Sequence, residues 1–123
     1  MNLDYFYEYC LSKKGVTEHF PFNEDALVLK VGGKMFLLSS LSSWENGNPQ
    51  VNLKCDPDRA QELRAEYDGI QPGYHMSKKH WNTVAINEDV SDVLVKELID
   101  HSYELVFASL PNKIKNEIRI VDN

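Results

Sequence analysis

The sequence predicts an α+β fold, a two-layer sandwich in which helices cover one face of an antiparallel sheet. Short apolar runs separated by turn residues favour antiparallel strand pairing. Longer segments place apolar residues three and four positions apart, as amphipathic helices do. The 123 residues, 42% of them hydrophobic, suffice for one domain with its own core.

The first half of the chain predicts one helix and three strands. Apolar residues at helical spacing define a helix over residues 3–11, with Gly15 as a stop signal. ALVLKV and KMFLLSSL flank Gly32 and Gly33, a two-residue hairpin signal because glycine tolerates positive φ. QVNLKC predicts the third strand. GVTEHFPF is expected to be an irregular linker and SSWENGNP a loop.

A second helix follows from DPDRAQELRAEYDG. Asp56 suits the N-cap, Pro57 suits the first helical position, and Gly69 lies just past the end. After an IQPG turn we expect a short extended piece at 74–76 and a strand at 82–86.

The last large helix begins near Ser91, and Pro111 ends or breaks it. The predicted order is therefore α-β-β-β-α-β-β-α within a single domain at 1–111. A tail at 112–123 is compatible with a docked helix or a strand.

The charge totals disfavour a dedicated, tight nucleic-acid binder. The formal net charge is -6 and the pI is near 5.1, whereas such domains usually carry a basic excess. The charges are nevertheless segregated. Residues 26–55 hold three lysines and one acid, and residues 69–86 hold two lysines and no acid. Since the helical segments are acidic, we expect a basic sheet side and an acidic helix side.

Motifs for other protein classes are missing from the sequence. No secretory signal and no membrane-length apolar run is visible, so we expect a cytoplasmic protein without a membrane partner. The two cysteines, Cys10 and Cys55, are then expected to be reduced thiols. Neither CxxC nor HExxH occurs, so no metal and no cofactor are expected. We expect a monomer.

The stretch PGYHMSKKHWNTV, residues 72–84, combines cations, imidazoles and aromatic rings without a carboxylate. A histidine base needs an orienting partner, and none is nearby in sequence, so we expect no catalytic residue. In a purely structural interpretation Tyr74 and Met76 point inward and Trp81 covers the core. Ser77 caps a single helical turn, or Lys78 and Lys79 form a hairpin tip; the sequence leaves both open.

Four blocks of the sequence resemble a known family. PFNEDALVLKVGGKMF, VNLKCDPDRAQELR, PGYHMSKKHWNTV and LIDHSYELVFASLP look like successive blocks of the MmcQ/YjbR family of small bacterial proteins. The resemblance runs from about Cys10 to Pro111 and implies the same element order. It also implies a DNA-binding protein of the double-wing type, without enzyme activity or cofactor. The two wings would be the hairpin at Gly32-Gly33 and the segment 77–81.

We therefore expect a non-catalytic protein that binds DNA weakly and in a salt-sensitive manner through a basic sheet face and two hairpin tips. Little sequence specificity is expected, since no predicted helix combines basic and base-reading residues. The alternative is a protein-protein interaction or chaperone-like module of the same fold. A small-molecule site at Tyr74, His75 and His80 is a further rival. The expected nucleic-acid-binding residues are Lys30, Lys34, Lys54, Tyr74, His75, Lys78, Lys79, His80 and Trp81.

Overall fold

A computed structural model describes residues 1–120 of the chain. The strands are β1 (Val16–His19), β2 (Ala26–Val31), β3 (Lys34–Ser40), β4 (Gln50–Lys54), β5 (Ile70–Pro72) and β6 (Trp81–Ala85). The helices are α1 (Leu3–Leu11), α2 (Leu41–Glu45), α3 (Pro57–Glu66), α4 (Asp92–Ala108) and α5 (Asn112–Arg119). The strands form one sheet in the order β1-β2-β3-β4-β6-β5, and all neighbours are antiparallel. The predicted α+β class is confirmed.

The main helices begin at polar capping residues, of which Asp56 was predicted from the sequence. The side chain of Asn2 accepts a hydrogen bond from the Tyr5 amide, and Asp56 accepts one from the Arg59 amide. Ser91 caps the 17-residue helix α4 in the same way. Each cap satisfies one of the amides that a helix leaves unpaired at its N-terminus, and a polar cap contributes about 1 kcal/mol.

The core lies between the sheet and the helices. α4 packs across β3 and β4, and it presents Val95, Ile99 and Val106 to them. The other face of the sheet, which we call the open face, carries no packed helix among the major contacts in residues 1–120. A bulge in β3 opposite Leu29 and Lys30 turns both Phe36 and Leu37 into the core.

Three segments differ in detail from the sequence prediction. The expected linker contains the edge strand β1, and the expected loop contains the short helix α2. The strand expected at 74–76 lies earlier, at Ile70–Pro72, where it pairs with β6. Alternation is weak in these short segments, so their pairing depends on neighbours that are distant in sequence.

The segment after Pro111 is a docked helix rather than a strand. On α5, Ile118 is 7% exposed and lies against Gly15, where an added Cβ would be 3.0 Å from the Ile118 side chain. Ile114 approaches Gly32 similarly. The apolar residues of α5 recur every four positions, which buries one side of a polar helix. Residues 121–123 of the expected tail lie outside the described residues.

Candidate nucleic-acid interface

The segment 77–81 forms a single tight turn. The amides of His80 and Trp81 both donate to the carbonyl of Ser77, at 3.2 and 3.0 Å. This is the geometry of one helical turn, so the lysine pair is not a two-residue hairpin tip. Lys78 and Lys79 occupy the exposed positions inside the turn.

Arg64 of α3 anchors this turn from the helix layer. Its Nε donates to Oδ1 of Asn82 at 2.7 Å, and its Nη2 donates to the carbonyls of Lys78 and Trp81. Asn82 is only 2% exposed, so the guanidinium satisfies an amide oxygen that water cannot readily reach. Arg64 was not among the residues selected from the sequence. A lone arginine on an amphipathic helix gives no signal of such a role.

Tyr74 and His75 extend from the same loop. Tyr74 is 72% exposed, and its ring centroid lies 4.0 Å from that of His75. The Tyr74 amide donates to Oγ1 of Thr83 at 3.1 Å, which ties the loop to β6. The inward orientation considered for Tyr74 is therefore wrong, whereas Met76 is half-buried. His75 has φ of 59°, a left-handed conformation that costs free energy in a non-glycine residue.

Three of the expected residues share the open face at one level of the sheet. Lys30 pairs with Met35, and Lys54 pairs with Trp81 across β4 and β6. β3 lies between β2 and β4, so Lys30 and Lys54 are two strand spacings apart, about 10 Å. These three side chains and that of Met35 are half-buried, so each keeps part of its surface in solvent.

The remaining lysine of the set lies at the tip of the β2–β3 hairpin. Lys34 is exposed directly after Gly32 and Gly33, whose φ values of 58° and 82° are those of the predicted tight turn. This hairpin, the end of β4 and the start of β6 meet at one end of the sheet. We call it the basic end. It is defined by the five lysines Lys30, Lys34, Lys54, Lys78 and Lys79.

The opposite end of the sheet is acidic. The connections there are residues 20–25, 41–49, 67–69 and 86–91, and they contain no Lys or Arg. Their acids are Glu24, Asp25, Glu45, Asp68, Glu88 and Asp89. A charge separation therefore runs along the strands, because successive connections of an antiparallel sheet alternate between its two ends. The separation expected between the sheet and helix layers stays a prediction.

None of the five lysines forms an ion pair with any residue from 1 to 120. The ion pairs in this part of the chain are Lys13–Asp100 and the Met1 amino group–Asp92. The five ammonium groups therefore keep their hydrogen-bond donors for solvent or a ligand.

α5 adds cations that the sequence analysis left unassigned. Asn112, Lys113, Asn116 and Arg119 are exposed on it, and it docks near the hairpin at Gly32. The expectation that no helix combines basic and base-reading residues is therefore wrong for α5. Glu117, also exposed, interrupts the basic surface.

The two buried thiols and the half-buried His101 have pKa values shifted by their surroundings. Cys10 and Cys55 are free and buried, and burial raises the pKa of Cys10 to about 12 and also raises that of Cys55. Burial lowers the pKa of His101, and the nearby Arg59 cation lowers it further. The His101 Nε2 accepts a hydrogen bond from the Asp56 amide at 3.1 Å, so the neutral ring is the form that the fold uses. Within residues 1–120 no His, Cys, Asp and Glu cluster suited to a metal is present.

Comparison with known proteins defines the class to which this fold and surface belong. The family model described as YjbR matches residues 11–105. The chain therefore belongs to the YjbR family, as the resemblance of its four blocks implied.

Relatives and solved structures agree with this assignment. The chain is 40% identical to the Escherichia coli O157:H7 protein YbdF over 100 residues, which is 81% of this chain and 80% of YbdF. It is 29% identical to YjbR of E. coli K12 over 113 residues, 92% and 93% of the two chains. The crystal structure of Deinococcus radiodurans protein DR2400, which has the family-model domain DUF419, matches with a TM-score of 0.87 and 32% identity. That match covers 99% of this chain and 91% of the other. These names state no ligand and no activity.

No helix within residues 1–120 is both long enough and apolar enough to cross a membrane.

Proposed function

We propose that this protein binds the phosphate backbone of nucleic acid weakly, through the basic end of its sheet, and that it does so without catalysis. The observation that supports the proposal most strongly is the convergence, at one end of an acidic molecule, of five lysines that form no ion pair with residues 1–120. Lysine ammonium groups bind phosphate as point charges, which gives affinity without base recognition.

The rings beside these lysines give the surface a second kind of contact. Tyr74 is largely exposed, and Trp81 is half-buried next to Lys54. Aromatic rings next to cations stack on bases of unpaired strands and tolerate any sequence. His75 and His80 are exposed in the same loop and would add hydrogen bonds to phosphate or ribose.

The test is a fluorescence anisotropy titration with duplex and single-stranded 20-mers at low salt. The Lys78→Glu/Lys79→Glu double variant should lose binding by at least tenfold, because two phosphate contacts become repulsions. Circular dichroism and thermal unfolding establish that the variant is folded. Binding unchanged in the folded variant would remove this surface from consideration.

A second function is favoured by a different part of the molecule. Phe20 and Phe22 are 44% and 73% exposed directly after β1, which is an edge strand. An exposed edge strand can pair with an extended segment of a partner chain. In this protein-interaction proposal, Phe22→Ser would abolish capture of a protein partner from nuclease-treated lysate and leave nucleic-acid binding intact. Protein capture that is unchanged in folded Phe22→Ser would contradict this second proposal and leave the first in place.

A further inference from the structure

A cavity on the helix side of the molecule combines an apolar floor with a cationic rim. Its volume is about 280 Å³. Its lining comes from the residues that follow α1, from the last turns of α4, and from α5. The residues are Lys13, Lys14, Tyr103, Phe107, Ile118 and Arg119. This cavity is separate from the lysines of the basic end.

Packed aromatic rings form the floor of the cavity. The rings of Tyr103 and Phe107 are nearly parallel, with centroids 6.1 Å apart, and Phe36 contacts Tyr103 edge to face at 5.5 Å. The Tyr103 hydroxyl donates to the Lys14 carbonyl at 2.5 Å. A tyrosine phenol is protonated at neutral pH, and burial raises the pKa of Tyr103 further, so the donor of this bond is retained. These contacts fix the orientation of the Tyr103 ring without a ligand.

Lys14 and Arg119, on the rim, have hydrogen-bond donors that residues 1–120 leave unused. Lys14 uses its Nζ toward the Arg119 carbonyl at 3.1 Å, and Arg119 uses Nη1 toward Oδ1 of Asn116 at 3.1 Å. A guanidinium has five N–H donors and an ammonium three, so most of them stay unused within residues 1–120. The Arg119 guanidinium carbon lies 5.5 Å from the centre of the Phe107 ring, which places charge directly beside the apolar floor.

No carboxylate of residues 1–120 lines the cavity. The nearby Asp100 is paired with Lys13, which also lies over the Tyr9 and Tyr103 rings. Lys14 and Arg119 form no ion pair with any residue from 1 to 120. A lysine and an arginine of this kind next to a hydrophobic pocket suit a molecule with one anionic end and one apolar end.

We infer that this cavity is a binding site for a small aromatic carboxylate. The ring of the ligand would lie against Phe107, Tyr103 and Ile118, and its carboxylate would accept hydrogen bonds from Arg119 and Lys14. The volume is slightly below that of pockets for drug-sized ligands, so a ligand of one or two rings fits.

The experiment titrates 1-naphthoate into the full chain and follows amide shifts by two-dimensional NMR. The neutral isostere 1-naphthamide serves as the matched probe. We expect saturable shifts at residues 13–15, 103–107 and 118–120, with a Kd of about 1 mM or lower for a ligand of this size. The amide probe should bind at least about threefold more weakly, because it lacks the charge.

Two variants, at the exposed Arg119 and the half-buried Arg59, separate the site from a general effect of charge. Arg119→Gln should weaken 1-naphthoate by about three- to tenfold and leave 1-naphthamide unchanged. Arg59→Gln removes the same charge from α3 and should change neither Kd. Equal affinities for the two probes, an unaltered Kd in folded Arg119→Gln, or no saturable shifts at these residues up to 10 mM ligand (about ten times the expected Kd) would overturn the inference.

Discussion

Arg64 and Asn82 are joined by a hydrogen bond of 2.7 Å between the guanidinium Nε and the amide Oδ1. This bond connects α3, in the helix layer, to the start of strand β6. Through the same guanidinium, Arg64 holds the carbonyls of Lys78 and Trp81. The position of the lysine pair therefore depends on a residue that does not itself reach the proposed ligand.

Arg64→Gln tests this positioning role. Losing hydrogen bonds to the buried Asn82 should lower the free energy of unfolding by about 1–3 kcal/mol. Nucleic-acid affinity should also fall, although both lysines are intact. Urea unfolding and anisotropy titration measure the two effects. Arg59→Gln, on the same helix, is the matched control and should change little in either measurement.

Ser102 links α4 to two strands of the sheet. Its Oγ donates to the Phe36 carbonyl at 2.5 Å and accepts from the Lys54 amide at 2.9 Å, and the residue is fully buried. Ser102→Ala leaves both backbone groups unpaired, so we expect about 1–3 kcal/mol of destabilisation in urea unfolding.

Ser109→Ala provides the comparison for Ser102. Ser109 is the exposed C-cap of α4, and within residues 1–120 its hydroxyl bonds only to the Val106 carbonyl. This substitution should cost less than about 0.5 kcal/mol. Equal losses in the two variants would contradict the account of the α4–sheet junction.

Gly32 and Gly33 share a hairpin but differ in their surroundings. A Cβ at Gly32 would lie 2.5 Å from Leu110 Cδ1, whereas no atom of residues 1–120 lies within 4 Å of one at Gly33. Both have positive φ, so Gly33→Ala should cost about 1–2 kcal/mol through backbone strain alone. Gly32→Ala should cost a further 1–3 kcal/mol, roughly, from overpacking against Leu110. Thermal unfolding of both variants measures the two losses. A Gly33→Ala loss that equals or exceeds that of Gly32→Ala would show that Leu110 and α5 do not press on the hairpin.

His101 makes stability depend on pH. Its pKa is lowered in the folded state, first by burial and then by Arg59, so the unfolded chain binds a proton more readily. The contribution of His101 to stability is therefore complete above its ordinary pKa and is lost as the pH falls below it. Urea unfolding at pH 7.5 and 5.0 should show a larger loss in the native chain than in His101→Gln. Identical pH dependence in the two would contradict the role of the neutral ring at the Asp56 amide.

Most of the fold could be predicted from local signals. The Asp56 cap, the start of α4 near Ser91 and the Gly32-Gly33 turn are decided within a few residues of sequence, and each occurs where predicted. The edge strand β1 could not be predicted in this way, because its evidence lies in the pairing of Val16 with Val31. α5 likewise depends on docking of Ile118 against Gly15, a contact between opposite ends of the chain.

The candidate site was predictable in composition but not in geometry. The lysines were selected from the sequence, and their common end of the sheet follows from strand order together with the register of Lys30 with Met35 and Lys54 with Trp81. Successive connections of an antiparallel sheet alternate between its two ends. Summing the charges of alternate connections would therefore have predicted that one end of the sheet is basic and the other acidic. The Arg64 anchor has no such signal, since its partners are backbone carbonyls that only the folded turn brings together.

The central claim is that phosphate contacts at Lys78 and Lys79 drive binding. We compare Lys78→Gln/Lys79→Gln with Asn48→Asp/Gln61→Glu, two near-isosteric exposed changes that also lower the net charge by two. The measurement is the slope of log K against log salt, which should be about -2 to -4 for the native chain and for the control. In the lysine variant the slope should become shallower by about 1.5 to 2, since two released counterions are lost. Equal slopes in the two double variants would contradict the account.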